Sequence, residues 1–174
     1  MKYLNLQNMV CVLDTSTILR SHLIKERTSL DIMSFIQNAF IDLKILSTVQ
    51  DELINQNFDL NKLQLTVVPK TKSSKHVLRT MKVHGFKNLG EADSVSYCIP
   101  NEDTVFLTDD ISACVNARKL IQYRSQFFIA FLVTNGVDYF TKQDMTQILE
   151  ERHSIRKLKK KIYKTLNDRI NDLY

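Results

Sequence analysis

Met9-Val10-Cys11-Val12-Leu13-Asp14-Thr15-Ser16 is the stretch that decides the fold. It holds five apolar residues in a row, with no alternation of polar and apolar positions, and it stops at an acid. Such a run predicts a strand buried on both faces, as in parallel sheets covered by helices. Leu43-Lys44-Ile45-Leu46, Leu65-Thr66-Val67-Val68 (stopped by Pro69) and Thr104-Val105-Phe106-Leu107 predict further strands. The apolar run from Phe127 to Val133 reads as the last parallel strand.

Helical segments fall between these runs. One covers Leu30 to Phe40. A second starts at Ser47, with Gln50 three residues on as a capping box, and carries Val49, Leu53 and Ile54 on its apolar side. Lys75 to Lys82 sets Val77, Leu78 and Met81 among basic residues at helical spacing, and Gly90 precedes a helix from about Glu91 to Ile99. Asp109 or Asp110 caps another. From Thr141 almost to the end, Met145, Ile148, Leu149, Ile155, Leu158, Ile162, Leu166 and Ile170 keep spacings of mostly three or four. That pattern predicts one long helix. Strands alternating with helices give an α/β chain of three layers, α/β/α, around a central parallel sheet. Residues 1–140 form the α/β domain, and residues 141–174 an amphipathic basic helix packed on it or extending from it.

Composition narrows the classes. A chain of 174 residues, 44% of them apolar, suits one packed domain. Only 3 Gly and 2 Pro argue against fibrous and many-turned all-β readings. No apolar window approaches the roughly 18 residues of a membrane helix, and no secretion signal is visible at the N-terminus. Cys11, Cys98 and Cys114 are odd in number and lack CxxC spacing, so they read as reduced thiols of a cytoplasmic protein. The absence of a Gly-rich loop excludes P-loop and Rossmann nucleotide sites. The net charge of +5 permits a nucleic-acid partner without requiring one.

Carboxylates recur where strands end or helices begin: Asp14, Asp51-Glu52, Glu91 and Asp93, and Asp109-Asp110. Open parallel sheets bind ligands at the carboxyl ends of their strands. Acids converging there repel unless a cation sits among them, and Mg²⁺ or Mn²⁺ prefers such oxygen donors. The plain alternative is that each acid caps a helix or favours its N-terminal dipole. Taking Ala92, Val95, Ser96 and Ile99 as the core face, Glu91 and Asp93 flank it almost symmetrically at ~100° per residue. Helix geometry therefore leaves both open, and Asp109 against Asp110 likewise.

Four segments in order resemble the motifs of PIN-domain nucleases. Val12-Leu13-Asp14-Thr15-Ser16 is similar to the opening motif, a strand ending in Asp with a small polar residue two positions on. Val49-Gln50-Asp51-Glu52-Leu53 resembles the second, an acid on a helix just before Leu. Leu89-Gly90-Glu91-Ala92-Asp93-Ser94 is similar to a Gly-Glu-Ala-acid segment of one large, toxin-type branch. Leu107-Thr108-Asp109-Asp110 resembles the fourth, in which Thr ends a strand before an acid. The resemblance spans residues 9 to 135 and implies a PIN-like nuclease domain in residues 1–140. It further implies Asp14, Glu52, Asp93 and Asp110 as catalytic metal ligands for Mg²⁺ or Mn²⁺, with Asp51, Glu91 and Asp109 as second candidates. Ser16 and Thr108 would be polar supports. The implied activity is endonucleolytic, foremost on RNA, with a metal-activated water as nucleophile. The short chain also resembles the toxin half of a toxin–antitoxin pair, whose partner would be an antitoxin protein. The alternative is a PIN-fold module that binds nucleic acid or protein with little or no catalysis.

The tail lies outside that resemblance. From Arg152 to Lys164 it has no acid, and Arg152, Arg156, Lys157, Lys160 and Lys164 lie mostly off the Ile155-Leu158-Ile162 stripe. This basic face predicts contact with a nucleic-acid backbone, or else a solvated surface. Tyr163, Leu166 and Ile170 leave room for a homodimer or partner helix. Lys70, Lys72, Lys75, Arg79 and Lys82 form a second basic group beside the acids. Arg118, eight residues after Asp110, is a further phosphate-contact candidate or a partner for a carboxylate. His22, His76, His84 and His153 are scattered and read as surface residues.

Overall fold

The computed structural model describes residues 5–70 and 74–174. Lys72, of the second basic group, lies outside the described residues. The chain opens with β1 (Val10–Leu13), then α1 (Thr15–Thr28), α2 (Ile32–Ala39), β2 (Asp42–Leu46) and α3 (Ser47–Asn55). Next come β3 (Thr66–Val68), α4 (Ser74–Lys82), α5 (Leu89–Cys98), β4 (Thr104–Thr108) and α6 (Ile111–Ile121). It closes with β5 (Ser125–Phe127), α7 (Phe128–Asn135), α8 (Lys142–Ile155) and α9 (Lys160–Leu173).

The strands form one parallel sheet in the order β3-β2-β1-β4-β5. β1 is its centre, pairing Val10 with Asp42 on one side and with Thr104 on the other. Alternate side chains feed two cores, as strand geometry requires. Cys11, Leu13, Val105 and Leu107 face α1, α2, α7, α8 and α9. Val12, Leu46 and Phe106 face α4, α5 and α6. This is the three-layer α/β/α arrangement, and the apolar runs of β1 and β4 are continuous because both faces are covered.

Four local readings are corrected. Phe127 to Val133 is not a strand: β5 ends at Phe127 and the rest is α7. Phe128, Ile129, Phe131, Leu132 and Val133 are all buried, and a helix covered nearly all round loses the polar stripe that would reveal its period. The C-terminal segment is two helices, with Arg156 extended at φ −146° and ψ 110°. Neither Gly nor Pro makes this break. The Leu158 N–H donates to Nδ1 of His153 at 3.0 Å, and the imidazole packs at a tilt against Tyr163, so His153 is structural rather than a surface residue. Both helices join the main core, α8 through Met145, Ile148 and Leu149, and α9 through Leu166 and Ile170. Ser47 is the first residue inside α3 and caps nothing. The segment after Asp14, assigned no element from the sequence, is a full helix, α1, capped by the Asp14 carboxylate.

Among the described residues no helix is long and apolar enough to cross a membrane. Cys11, Cys98 and Cys114 are buried free thiols.

Candidate functional site

The sheet order turns back between β1 and β4: the chain runs outward from β1 to β2 and β3, then crosses to the other side for β4 and β5. Loops leaving the carboxyl ends of β1 and β4 diverge there, and such switch points are where open α/β sheets bind ligands. Asp14 follows β1 directly, and Asp109 and Asp110 follow β4.

Asp14 is held on every side. Its Oδ1 accepts the Ser16 N–H at 2.7 Å, and its Oδ2 accepts the hydroxyls of Ser16 at 2.9 Å and of Thr108. Thr108 Oγ1 in turn accepts the Asp110 N–H at 3.1 Å, and Ser16 Oγ accepts the Asp109 N–H at 3.0 Å. Ser16 and Thr108 therefore stitch the end of β1 to the end of β4, orienting Asp14 between them. Burial pushes the Asp14 carboxyl above its ordinary range, against the pull of these hydrogen bonds, and Glu52 adds to the rise.

Glu52 reaches in from α3. Its Oε2 accepts the Thr15 hydroxyl and its Oε1 accepts the Gly90 N–H at 3.3 Å. A Cβ on residue 90 would stand 2.7 Å from Oε1, so glycine makes the approach possible. Neither Thr15 nor this use of Gly90 is visible as a motif. The only trace is the hydroxyl pair Thr15-Ser16 behind Asp14.

Of the two acids after Gly90, Glu91 shares the field of the others. Burial first, then repulsion from Asp14, Asp110 and Glu52, pushes its carboxyl up to about 7. Among the described residues it makes no hydrogen bond and no ion pair. Asp93 is buried and its Oδ2 accepts the Thr48 hydroxyl at 3.0 Å, tying α5 to α3. Asp93 thus carries a hydrogen bond within the fold, and Glu91 carries none among the described residues. The buried face of α5 runs through Ala92, Val95 and Cys98, while Ile99 is exposed. Asp51 points away, exposed and paired with Lys70 at 3.5 Å.

Asp109 and Asp110 part company. Asp109 is 2% exposed; its Oδ1 accepts Arg152 Nε at 2.6 Å and its Oδ2 accepts Arg20 Nε at 3.0 Å. Burial raises its carboxyl, and the two guanidiniums counter that rise. Asp110 caps α6 with Oδ1, taking the N–H groups of Ser112 and Ala113, while Oδ2 lies 3.4 Å from Arg156 Nη1.

The basic candidates divide as well. Arg156, Lys157, Lys160 and Lys164 are exposed. Arg152 is not: it is 2% exposed and spent on Asp109, and its Nη1 donates to the carbonyl of Arg156. Its place in a basic surface is withdrawn, because a buried guanidinium persists only when its charge is paired. Arg118 pairs with no carboxylate among the described residues. Its Nε donates to the carbonyl of Ser125 at 3.2 Å, about 12 Å along α6 from Asp110.

The donors at this edge are carboxylates and hydroxyls only, which is the set a hard divalent ion selects. Asp14, Glu52, Glu91 and Asp110 face a single exposed cation, Arg156, among the described residues. Donor chemistry and surplus negative charge fit Mg²⁺ or Mn²⁺. The side chains as they stand do not form a finished cage: among the described residues no three His, Cys, Asp or Glu are gathered tightly enough to hold one ion. No family model, curated protein or solved structure matches this chain.

Proposed function

We propose that the chain is a divalent-metal-dependent nuclease of PIN type, acting foremost as an endoribonuclease at the edge between β1 and β4. The observation that carries this reading is Glu91: a half-buried carboxylate with no partner among the described residues, pushed up to about 7 by burial and by three acids at a topological switch point. Structural acids are normally paired or hydrogen-bonded. A group left in this state is one that a ligand would complete.

Asp14, Glu52, Glu91 and Asp110 would hold the ion, with Asp93 steadying α5 from beneath. A bound Mg²⁺ or Mn²⁺ supplies water activation and neutralises charge growing on a phosphodiester. The chain's own part is positioning. Thr108 and Ser16 aim Asp14, Thr15 and the Gly90 N–H aim Glu52, and the α6 cap fixes Asp110. Lys157, Lys160 and Lys164 offer exposed charge for a nucleic-acid backbone, without base selection. An antitoxin or a second copy of the chain are further candidate partners.

A second reading has its own support. Both oxygens of Asp14 and both of Glu52 already accept hydrogen bonds, and the acids are not gathered into a cage. A PIN-like binding module without catalysis would have this arrangement too. Cleavage of single-stranded RNA, structured RNA and DNA in Mg²⁺ or Mn²⁺ separates the two. Asp14→Asn should reduce metal-dependent cleavage at least about a hundredfold while leaving circular dichroism unchanged. Near-normal cleavage by Asp14→Asn would remove this carboxylate from the chemistry. No cleavage by the unmodified protein with either ion would hand the site to the binding module.

A further inference from the structure

The arginine nearest the acidic edge is anchored by its backbone and loose at its tip. Arg156 marks the break between α8 and α9, and its carbonyl accepts from the buried Arg152, which is itself clamped on Asp109. The backbone of residue 156 is thereby fixed beside the end of β4. Its side chain is different: 64% exposed, it makes one contact of 3.4 Å from Nη1 to Oδ2 of Asp110. That is a single long contact rather than the bidentate fork a guanidinium can form. Exposed pairs of this kind hold weakly and exchange readily.

The contact is also a competitive one. Oδ1 of Asp110 is committed to the cap of α6, so Oδ2 is the oxygen left for a cation, and Arg156 sits on it. A divalent ion held at this edge would compete with the guanidinium for that oxygen. Arg20 and Arg152, both held by Asp109, lie nearby: Arg152 donates to the Arg156 carbonyl, and the Arg156 charge acts against that of Arg20. Lys157 follows Arg156 in the chain and Lys160 opens the next helix. A released Arg156 therefore lies at the junction of the acidic edge and the basic segment, with no second carboxylate bound to it among the described residues.

We propose that Arg156 is exchanged between two anions: without a divalent ion it pairs with Asp110, and when the ion takes Asp110 it is freed to hold a backbone phosphate of the nucleic-acid strand. The proposal rests on the nuclease reading and deepens it, because it couples ion loading to capture of the strand. Strand binding at this point then waits on the ion, while Lys157, Lys160 and Lys164 attract the backbone at all times. Arg156 is a positioning residue in this scheme and has no part in proton transfer.

The test uses the full chain, Arg156→Gln, and two probes: Mn²⁺, followed by loss of the free-ion electron paramagnetic resonance signal, and a labelled single-stranded RNA, followed by anisotropy. Gels confirm that the strand is still intact at each reading. Removing the competitor should tighten Mn²⁺ binding about two- to fivefold. RNA affinity should fall about tenfold in saturating Mn²⁺, with a salt slope smaller by about 0.7, and stay unchanged in chelator. Lys160→Gln, by contrast, should weaken RNA binding by the same factor with and without the ion. Mn²⁺ affinity that is unchanged or weaker in Arg156→Gln overturns the exchange, as does an equal loss of RNA affinity in chelator and in Mn²⁺. If the unmodified protein binds no Mn²⁺, the metal reading itself fails and the exchange falls with it. If it binds Mn²⁺ and Arg156→Gln matches it in both assays, the exchange alone is lost.

Discussion

Asp109 and Asp110 are neighbours in the chain and opposites in the structure. Asp109 turns inward to two arginines, Arg20 and Arg152, so its charge is more than balanced within the protein. Asp110 turns outward to an edge where it joins Asp14, Glu52 and Glu91 against one exposed arginine among the described residues. The first cluster is a closed account of charge, as burial demands. The second is left open. One loop thus holds an acid that the chain itself neutralises beside one that it leaves largely unbalanced.

Unbalancing the buried Asp109 cluster should cost the most stability. Asp109→Asn leaves Arg152 buried without a counter-charge, and we expect a loss of about 3–5 kcal/mol in urea unfolding. Adding Arg152→Met should recover most of it, since a buried pair replaced by apolar bulk is often close to neutral. A loss below about 1 kcal/mol in the single variant would mean that the two arginines do not make this acid structural.

The open side should respond to pH with a definite sign. Glu91 has a folded value near 7 against an ordinary 4.5, so between those limits the folded chain keeps a proton that the unfolded chain has lost. Its contribution to stability is present below about 4.5 and gone by about 7. In chelator, stability should therefore decline across that window. Glu91→Gln should lack the decline and be more stable at neutral pH by about 1–2 kcal/mol, less than the full shift implies because the group is partly exposed and screened. Identical pH profiles for the two proteins would remove the strain assigned to Glu91.

The mildest change in stability sharpens the contrast most. Gly90→Ala puts a methyl 2.7 Å from the tip of Glu52, a flexible side-chain end that can swing aside. Alanine is also the better helix former, so thermal stability should move by no more than about 1 kcal/mol. Metal-dependent cleavage should nonetheless drop, because Glu52 loses its place. Retained activity would show that this position of Glu52 is not needed.

The sheet was readable because β1 and β4 are buried on both faces, and an unbroken apolar run ending in Asp says so locally. The same signal misled at Phe127–Val133, where α7 is buried all round and shows no period. At the candidate edge, the segments singled out in the sequence bring Asp14, Glu52 and Asp110 to one side of the sheet, and the hydroxyls of Ser16 and Thr108 bond Asp14. The different surroundings of Glu91 and Asp93 were not readable, because they depend on Thr48 lying under one of them. Arg152 looked like one more surface cation in a basic run. Its burial is set by Asp109, 43 residues away, and no local pattern records that.

That separation has a consequence for how the protein comes into being. A chain emerges from the ribosome N-terminus first, and its elements assemble as they appear. The sheet from β1 to β5 is complete in sequence before α8 has been made. During that interval Asp109 has Arg20 alone, and the carbonyl at 156 and the side chain over Asp110 do not yet exist. The acidic edge of a nascent molecule is thus more open and more negative than that of the finished one, until the segment carrying Arg152 and Arg156 docks and latches it.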